Sequence, residues 1–495
     1  MPPPSPFKIL PESSKDSNVG KKLPDRHFSP DIQQKACFHK NNCQANSSDK
    51  PPEVHQGFHR QILQGTAGAF AVRALAAAAS LLMNVLLARV LSVSDYGVIA
   101  LGLSWLNIVA TLACFGTDTV SVRYIAEAKS RGDDSQIAAV MRWGQNLTMI
   151  FGTAVGVASC GLLYTIFSNY RENQLFALCS IVMAAPLLAF TLNRANVLRG
   201  VKKVVSAATV EMLLKPLGII LLVGGGSLIS GWSTSMISVA FSIFLVHMTM
   251  AWVGRSVTHN LVAHHSGISV TSAQRQEWFQ VAKSIVFMNV LGVLIGNMDT
   301  VFVGYFVDAG SAGIYRASAQ LASLVSFGLG ASNGIMAPLI AELYSNGKHA
   351  DLRKTLRFSV ALVGSVGVVS ALTMGIWGEF ALKLFGPEYQ TGYYSLLILL
   401  TAQAINALCG PTGFMMSMTG HQVQAARLFT MSALISALLN ILLIPSYGIL
   451  GAAAANAIGI VLWNLSILVF LKHRLKIDPS VLVWLSPDTT KTKTT

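Results

Sequence analysis

Long apolar runs follow one another along most of this chain, separated by short polar stretches. Twelve of them match a bilayer-crossing helix, since a hydrocarbon core about 30 Å thick takes about 20 helical residues. They fall at about residues 65–91, 97–117, 143–167, 175–198, 206–226 and 233–254, then 284–306, 312–340, 356–377, 391–417, 425–445 and 448–471. Gly224, Gly225 and Gly226 blur the boundary between the fifth and sixth. Residues 1–60 carry Pro, Ser, Lys and Asn without an apolar period and read as a disordered tail. Residues 476–495 form a second, shorter tail. No signal-peptide apolar core precedes the first run, so no cleavage is expected. The pattern predicts an all-α membrane protein with twelve transmembrane helices.

The two sets of six echo each other. Asp95-Tyr96-Gly97 follows the first run and Ser311-Ala312-Gly313 follows the seventh. Ile125-Ala126-Glu127 follows the second run and Ile340-Ala341-Glu342 the eighth, while Gly200 and Gly420 end the fourth and tenth. An even number of spans separates the copies, so both halves start on the same side of the membrane. The expected architecture is two six-helix lobes, 61–270 and 271–475, related by a parallel pseudo-twofold along the membrane normal. Repeats of this kind commonly place a substrate pathway between the halves, and rocking one against the other gives alternating access.

Composition agrees with the apolar pattern: 52% of the 495 residues are apolar and only 12% charged, against about 25% charged in a soluble domain. The net charge of +14 would suit a nucleic-acid partner if it were spread over a soluble surface. Here Lys and Arg gather on one side. With the N-terminus inside, the inner loops hold 15 of them and the outer loops only Arg171 and Lys383, which predicts both termini in the cytoplasm. No nucleic-acid partner is expected.

Polar residues recur at helical spacing within several runs. Arg73, Ala77, Ser80 and Asn84 share a face of the first; Ser104, Asn107, Thr111, Cys114 and Asp118 share one of the second. The seventh offers Asn289, Gly292, Gly296 and Asp299, the eighth Arg316, Gln320, Ser323, Phe327, Gly330 and Gly334, and the tenth Gln403, Asn406, Gly410, Gly413 and Ser417. Small members of these stripes serve close helix packing. Charged members are costly against lipid, at least about 2.5 kcal/mol at mid-depth, and are expected to face the interior or water. Arg73 has no acid within a turn. Lys215 follows Glu211 by four residues, a spacing that by itself supports an ion pair along a helix. Asp299 and Arg316 belong to one hairpin, where an ion pair and a protonatable gate are both open readings. Arg194 lies one turn from the inner end and can snorkel; Arg89 marks the outer end, and Asp118 and Arg123 flank the inner mouth of the second run.

No catalytic constellation appears, and no enzyme activity is expected. The outer loops are short and hold no His, unlike the large Arg- and His-bearing loop expected of a membrane glycosyl polymerase or ligase. His259, His264 and His265 sit in an inner loop and read as solvated. The cysteines Cys114, Cys160, Cys179 and Cys409 are spread through the runs as small apolar residues. Cys37, His39 and Cys43 are a poor match to a zinc site. No metal or other cofactor is expected.

The run Leu86-Leu87-Ala88-Arg89-Val90-Leu91 with Asp95-Tyr96-Gly97 resembles the first hairpin of the polysaccharide-transporter branch of the multidrug/oligosaccharidyl-lipid/polysaccharide exporter superfamily. Asn297-Met298-Asp299, Gly304, Ala312-Gly313-Ile314-Tyr315 and the late Tyr447-Gly448-Ile449-Leu450-Gly451-Ala452-Ala453 are similar to it as well. The resemblance covers about residues 60–475 and implies a MATE-like fold and a Wzx-type flippase. Such a protein moves undecaprenyl-pyrophosphate-linked oligosaccharide across the bacterial cytoplasmic membrane for O-antigen, capsule or exopolysaccharide synthesis, with a cationic cavity between its lobes. On that reading Arg73, Lys215, Arg316 and Arg194 would meet the pyrophosphate. Asn84, Asn107, Gln320, Gln403 and Asn406 would bond sugar hydroxyls. Asp299, Glu211 and Asp118 would serve coupling to a proton or cation, or gating. Expected partners are the lipid-linked oligosaccharide, membrane lipids, and a polysaccharide polymerase and chain-length regulator, with the flippase itself a monomer. The alternatives are a MATE-like ion-coupled exporter of small molecules, which would want acids to dominate the cavity, and a lipid II flippase.

Overall fold

The computed structural model describes residues 54–228, 235–259, 261 and 271–475. The expectations for residues 1–53 and 476–495, for Cys37, His39 and Cys43, and for His264 and His265 lie outside the described residues. Two units separate by contact, Met1–His59 and Arg60–Thr495, and the membrane fold belongs to the second. Its described residues are helical throughout, without a strand.

α1 (Val54–Val90) turns through Leu91 and Ser92 into α2 (Val93–Cys114). Ser92 starts α2 because its Oγ accepts the Asp95 N–H at 3.1 Å, satisfying a donor that the first turn leaves free. Phe115 and Gly116 end α2 with positive φ, and the amphipathic α3 (Thr117–Arg131) follows. α4 (Asp134–Ile166) returns, capped by the Asp133 carboxylate. α5 (Glu172–Val182) and α6 (Ala185–Gly200) make one crossing, interrupted just before Pro186. The next crossing, Val204–Ser227, is irregular: α7 (Val204–Ala208), a π-helical turn at Thr209–Leu213, α8 (Leu214–Ile219), a second π-helical turn at Ile220–Gly224, and α9 (Gly225–Ser227). α10 (Met236–His259) completes the first lobe.

The second lobe contains α11 (Ser272–Phe306), α12 (Ala309–Ser323), α13 (Phe327–Ser345), α14 (His349–Lys383), a 3-10 turn at Pro387–Gly392, α15 (Tyr393–Cys409), α16 (Thr412–Met418) and α17 (Gln422–Phe470). Ten helices among the described residues are long and apolar enough to cross a membrane. The difference from twelve has two sources. Gln422–Arg474 spans 53 residues, far beyond one crossing, and the backbone leaves helical geometry at Gly448 (φ 54°, ψ −132°). The two arms fold back on each other there, since Ser436 Oγ donates to the Ala455 carbonyl at 3.1 Å. The predicted eighth run is divided by a break between α12 and α13, and neither piece alone meets the length and hydropathy of a span.

The lobes meet most closely where the sequence repeat predicted equivalence. Gly97 on α2 and Gly313 on α12 lie against each other. A Cβ on Gly97 would stand 1.6 Å from the Ala309 carbonyl oxygen, and one on Gly313 would stand 3.1 Å from the Gly97 Cα. Each lobe pins its own hairpin in a related way. The Tyr96 hydroxyl donates to Asn84 Oδ1 at 3.1 Å, and the Tyr315 hydroxyl donates to Asp299 Oδ2 at 3.0 Å. Around this axis the face bearing the α1–α2 turn is held shut. Arg89 donates to the Lys383 and Leu384 carbonyls at 2.8 and 2.6 Å, Tyr170 donates to the Gly304 carbonyl at 2.7 Å, and the Tyr96 and Tyr389 rings meet edge-on.

At the opposite end, the first turns of α11 pack onto the first lobe. Trp278 is fully buried in a cluster with Val120, Tyr124, Ile137 and Val140, and Tyr124 donates to Glu277 Oε1 at 2.7 Å. Burial pushes the Tyr124 phenol up to about 12, and its bond to Glu277 adds to that. A lobe division at residues 270 and 271 therefore remains a proposal, because α11 contributes to both bodies.

Replacing Gly97 by Ala should force α2 and α12 apart. Overpacking of this kind costs about 1–3 kcal/mol or more, which thermal unfolding in detergent would read as a lowered Tm. Gly161→Ala, where an added Cβ meets nothing within 4 Å, should be neutral or slightly stabilising. Equal effects of the two changes would contradict the axial contact.

Candidate functional site

Two cavities follow the polar face of the α12–α13 crossing. The first, of about 540 Å³, lies between the lobes and is lined by Phe70, Arg73, Ala77 and Ser80 of α1, Met212 of the irregular crossing, and Phe327 and Gly330 of α13. The second, of about 310 Å³, lies within the second lobe and includes Gly296, Asp299, Arg316, Gln320, Ser323, Gln403 and Asn456. Arg316, Gln320, Ser323, Phe327 and Gly330 thus line one route, as their spacing predicted. The break after Ser323 lets the upper part of that stripe serve the polar cavity and the lower part the cavity between the lobes.

Arg73 is exposed into the first cavity. Its stripe holds through Ala77 and Ser80 and then fails at Asn84. That side chain is buried and used by the fold: Nδ2 donates to the Ser80 carbonyl at 2.7 Å while Oδ1 accepts from Tyr96. Lys215 does not pair with Glu211. Glu211 instead forms an ion pair with Arg199, which also donates to Asn196 at 2.5 Å. The π-helical turn at Thr209–Leu213 is the physical reason. It adds a residue to the turn between them, so a spacing of four no longer puts the two side chains on one face.

Lys215 is half-buried and has no ion-pair partner among the described residues. It lies close enough to Arg316 of the other lobe for the two charges to act on each other, and close to the buried His247. Arg316 likewise has no ion-pair partner among the described residues, although it shares a cavity with Asp299. Of the two readings of that hairpin, the direct ion pair is not present. Asp299 accepts instead from Tyr315, from Asn440 Nδ2 at 2.8 Å and from Asn456 Nδ2 at 2.6 Å. The site therefore holds a buried carboxyl supported by neutral donors, with a cation nearby that has no ion-pair partner among the described residues.

The remaining candidates divide. Gln320 and Gln403 line the polar cavity. Asn406 belongs to a chain of bonds in which Asn464 donates to it at 3.0 Å and accepts from Thr412 at 3.1 Å. Asn107 is half-buried on α2 and lines neither cavity. Arg194 is 3% exposed, lies 4.6 Å over the Phe190 ring and donates to Gln145. It holds crossings of the first lobe together and reaches neither cavity. Asp118 joins the lobes at the end opposite the α1–α2 turn, where its Oδ2 accepts from Asn289 at 2.7 Å.

Asn440, Asn456 and Tyr315 were missed in reading the sequence as site residues. The signal for the two asparagines was present: each is a polar side chain inside an apolar run, where it needs a partner. Tyr315 had no such signal, because a tyrosine is ordinary near a membrane boundary.

The geometry can be set beside known proteins. Residues 62–344 match the family model described as "Polysaccharide biosynthesis protein". This chain belongs to that family. It is 23% identical over 376 residues, covering 75% of both chains, to the "Probable low-salt glycan biosynthesis flippase Agl15" of Haloferax volcanii. It is 22% identical over 247 residues, 49% of this chain and 48% of the relative, to the "Probable flippase AglR" of the same organism. Its fold matches an inward-facing multidrug resistance MATE family transporter of the MOP superfamily, with TM-score 0.65 and 12% identity over 80% of this chain and 94% of that one. It also matches the lipid II flippase MurJ in an inward closed conformation, with TM-score 0.64 and 15% identity over 83% and 87%. The expected all-α, MATE-like fold is met by these structures, and the expected kinship with a polysaccharide family is met by the family match. Its ten long apolar helices among the described residues make this family member a multi-pass membrane protein.

Asp118 offers a test of the contact between the lobes. Burial raises its carboxyl above the usual range, against the lowering effect of the Thr119 backbone N–H and the charge of Arg199. A raised pKa means that the folded state disfavours the charged form. The associated loss of stability appears as pH rises through the raised value and vanishes below the ordinary one. Asp118→Asn keeps an acceptor for Asn289 without the charge. It should match or exceed the wild type in Tm at neutral pH, and the difference should shrink as the pH falls. A difference that grows on acidification would contradict the assignment.

Proposed function

We propose that this protein carries an undecaprenyl-pyrophosphate-linked oligosaccharide across the cytoplasmic membrane by alternating access between its lobes, for assembly of a cell-surface polysaccharide. The observation that carries this reading is the trio Arg73, Lys215 and Arg316. Arg73 and Arg316 each line a cavity along the polar face, Lys215 lies near enough to Arg316 for the two charges to act on each other, and none of the three has an ion-pair partner among the described residues. Unpaired cations at membrane depth are costly unless a ligand or water compensates them. A pyrophosphate supplies what they lack, with several oxygens able to accept charge-assisted hydrogen bonds. Its binding between Lys215 and Arg316 would turn repulsion across the boundary into attraction and draw the lobes together on the loaded substrate. The polyprenyl chain can stay in lipid, and Gln320 and Gln403 offer amides to the sugars.

Asp299 is the candidate for coupling to a proton or cation, since it is a buried acid held by three neutral donors beside the same route. The basic loops support cytoplasmic termini on this reading, and a polymerase and a chain-length regulator would receive the product on the other side.

Arg73→Ala, Lys215→Ala and Arg316→Ala should each lower translocation of lipid-linked oligosaccharide in proteoliposomes by about tenfold or more, which corresponds to about 1.4 kcal/mol or more. Protein level and Tm should be little changed. Full translocation by all three variants would remove the cationic route from the mechanism.

A further inference from the structure

We propose that a separate pocket, at the face bearing the α1–α2 turn, binds the neutral sugar portion of the glycan. This rests on the flippase reading above and adds a second point of contact, remote from the cationic route. The pocket measures about 850 Å³ and is built by both lobes: the start of α2 and the α4–α5 connection on one side, the end of α11 and the start of α12 on the other. That volume falls within the range of small-ligand sites.

Its lining pairs aromatic rings with exposed hydrogen-bonding groups. Tyr305 is 52% exposed, and its ring meets Phe167 of the opposite lobe edge-on, with centroids 6.3 Å apart. Phe306 also meets the Tyr305 ring edge-on, yet half of the Tyr305 surface stays open, and an open patch of aromatic ring is a surface on which the C–H bonds of a sugar can lie. Asp95, Asn169, Arg171, Gln174 and Asp308 line the same space. Asp95 lies in the first turn of α2, and Asp308 caps α12. Each uses its oxygens on only one or two local donors, Ser92 and Ser311, and a carboxylate offers about four lone-pair sites. Arg171 has no ion-pair partner among the described residues. Carboxylates, amides and a guanidinium around an aromatic face match vicinal hydroxyls, which both donate and accept. Two carboxylates at the rim disfavour a phosphate, so this pocket selects the uncharged part of the substrate.

Interfacial aromatic residues commonly form a belt facing lipid headgroups. Tyr305 and Phe167 instead turn toward each other across the seam between the lobes, among polar groups. Gln174 Nε2 reaches Ser94 Oγ at 3.4 Å, and Tyr170 bonds across the lobes to Gly304. The pocket is therefore divided when the lobes part, so sugar binding there favours the state closed at this face.

The test uses the full chain in nanodiscs and, as probe, the oligosaccharides released by mild acid from the source cell's own lipid-linked pool. These carry no lipid or pyrophosphate. Titration calorimetry should show binding to the wild type, weakened about tenfold or more by Tyr305→Ala and by Asp308→Asn, and unchanged by Gly161→Ala, where an added Cβ meets nothing within 4 Å. Asn caps a helix about as well as Asp, so Asp308→Asn leaves the start of α12 intact even if Tyr305→Ala should disturb folding. No binding by the wild type, or wild-type binding by both variants, would overturn the proposal. Translocation of the intact lipid-linked glycan, measured on the same wild-type preparation, separates the two readings. Translocation without sugar binding removes only this pocket, whereas sugar binding without translocation removes the flippase reading and leaves the pocket.

Discussion

The backbone contact between Gly97 and Gly313 is the constraint on which the rest of the arrangement depends. Two helices from different lobes approach there without side chains between them, at a point that the sequence repeats. A lobe can rock against its twin only if some point stays nearly fixed, and a pair of glycines at the crossing is suited to that role. Tyr96 and Tyr315, each bonded to a polar residue of the preceding crossing, stiffen the hairpins that bear the glycines. Everything polar along the route is then positioned relative to this pivot: Asp299 and Arg316 just beside it, Arg73 deeper, the aromatic seam just beyond it.

The distribution of charge follows from the low dielectric around the pivot. Where the fold needs a charged group for structure, it supplies a partner: Glu211 with Arg199, Arg194 with Gln145 and the Phe190 ring, Asp299 with three neutral donors. Where it supplies none, at Arg73, Lys215 and Arg316, the side chains lie on or beside the route. On the proposed reading, the presence or absence of a partner along this route distinguishes structural cations from those offered to a substrate. Arg194 is buried and bonded within the first lobe, whereas the half-buried Lys215 has no ion-pair partner among the described residues.

Much of this was legible in the chain. Apolar length exposed the crossings, and the repeat that pairs Gly97 with Gly313 pointed to two related halves. The stripe from Arg316 to Gly330 was correct because α12 and α13 keep a common face despite their break. Failures came where local geometry departs from the ideal helix. The π-helical turn beside Glu211 moved it off the face of Lys215, and no periodicity rule sees an inserted residue in advance. Asn84 fitted its stripe by spacing but was claimed by Tyr96, a contact between helices that one helix cannot reveal. The hairpin at Gly448 joined two predicted runs into one continuous helical segment, because the reversal occupies almost no residues.

Arg89 has a consequence of its own. It reaches from the first lobe to the last carbonyls of α14, groups that a helix end leaves without donors, and so completes a terminus that belongs to the other lobe. When the lobes part at this face, a guanidinium and two carbonyls lose one another at once, and water must take up both sets of bonds. Hydration is then a reactant in the opening step rather than a passive surrounding. The balance between closed and open forms of this face should accordingly follow the activity of water there, so that crowding or osmotic stress on that side of the membrane would itself favour the closed form.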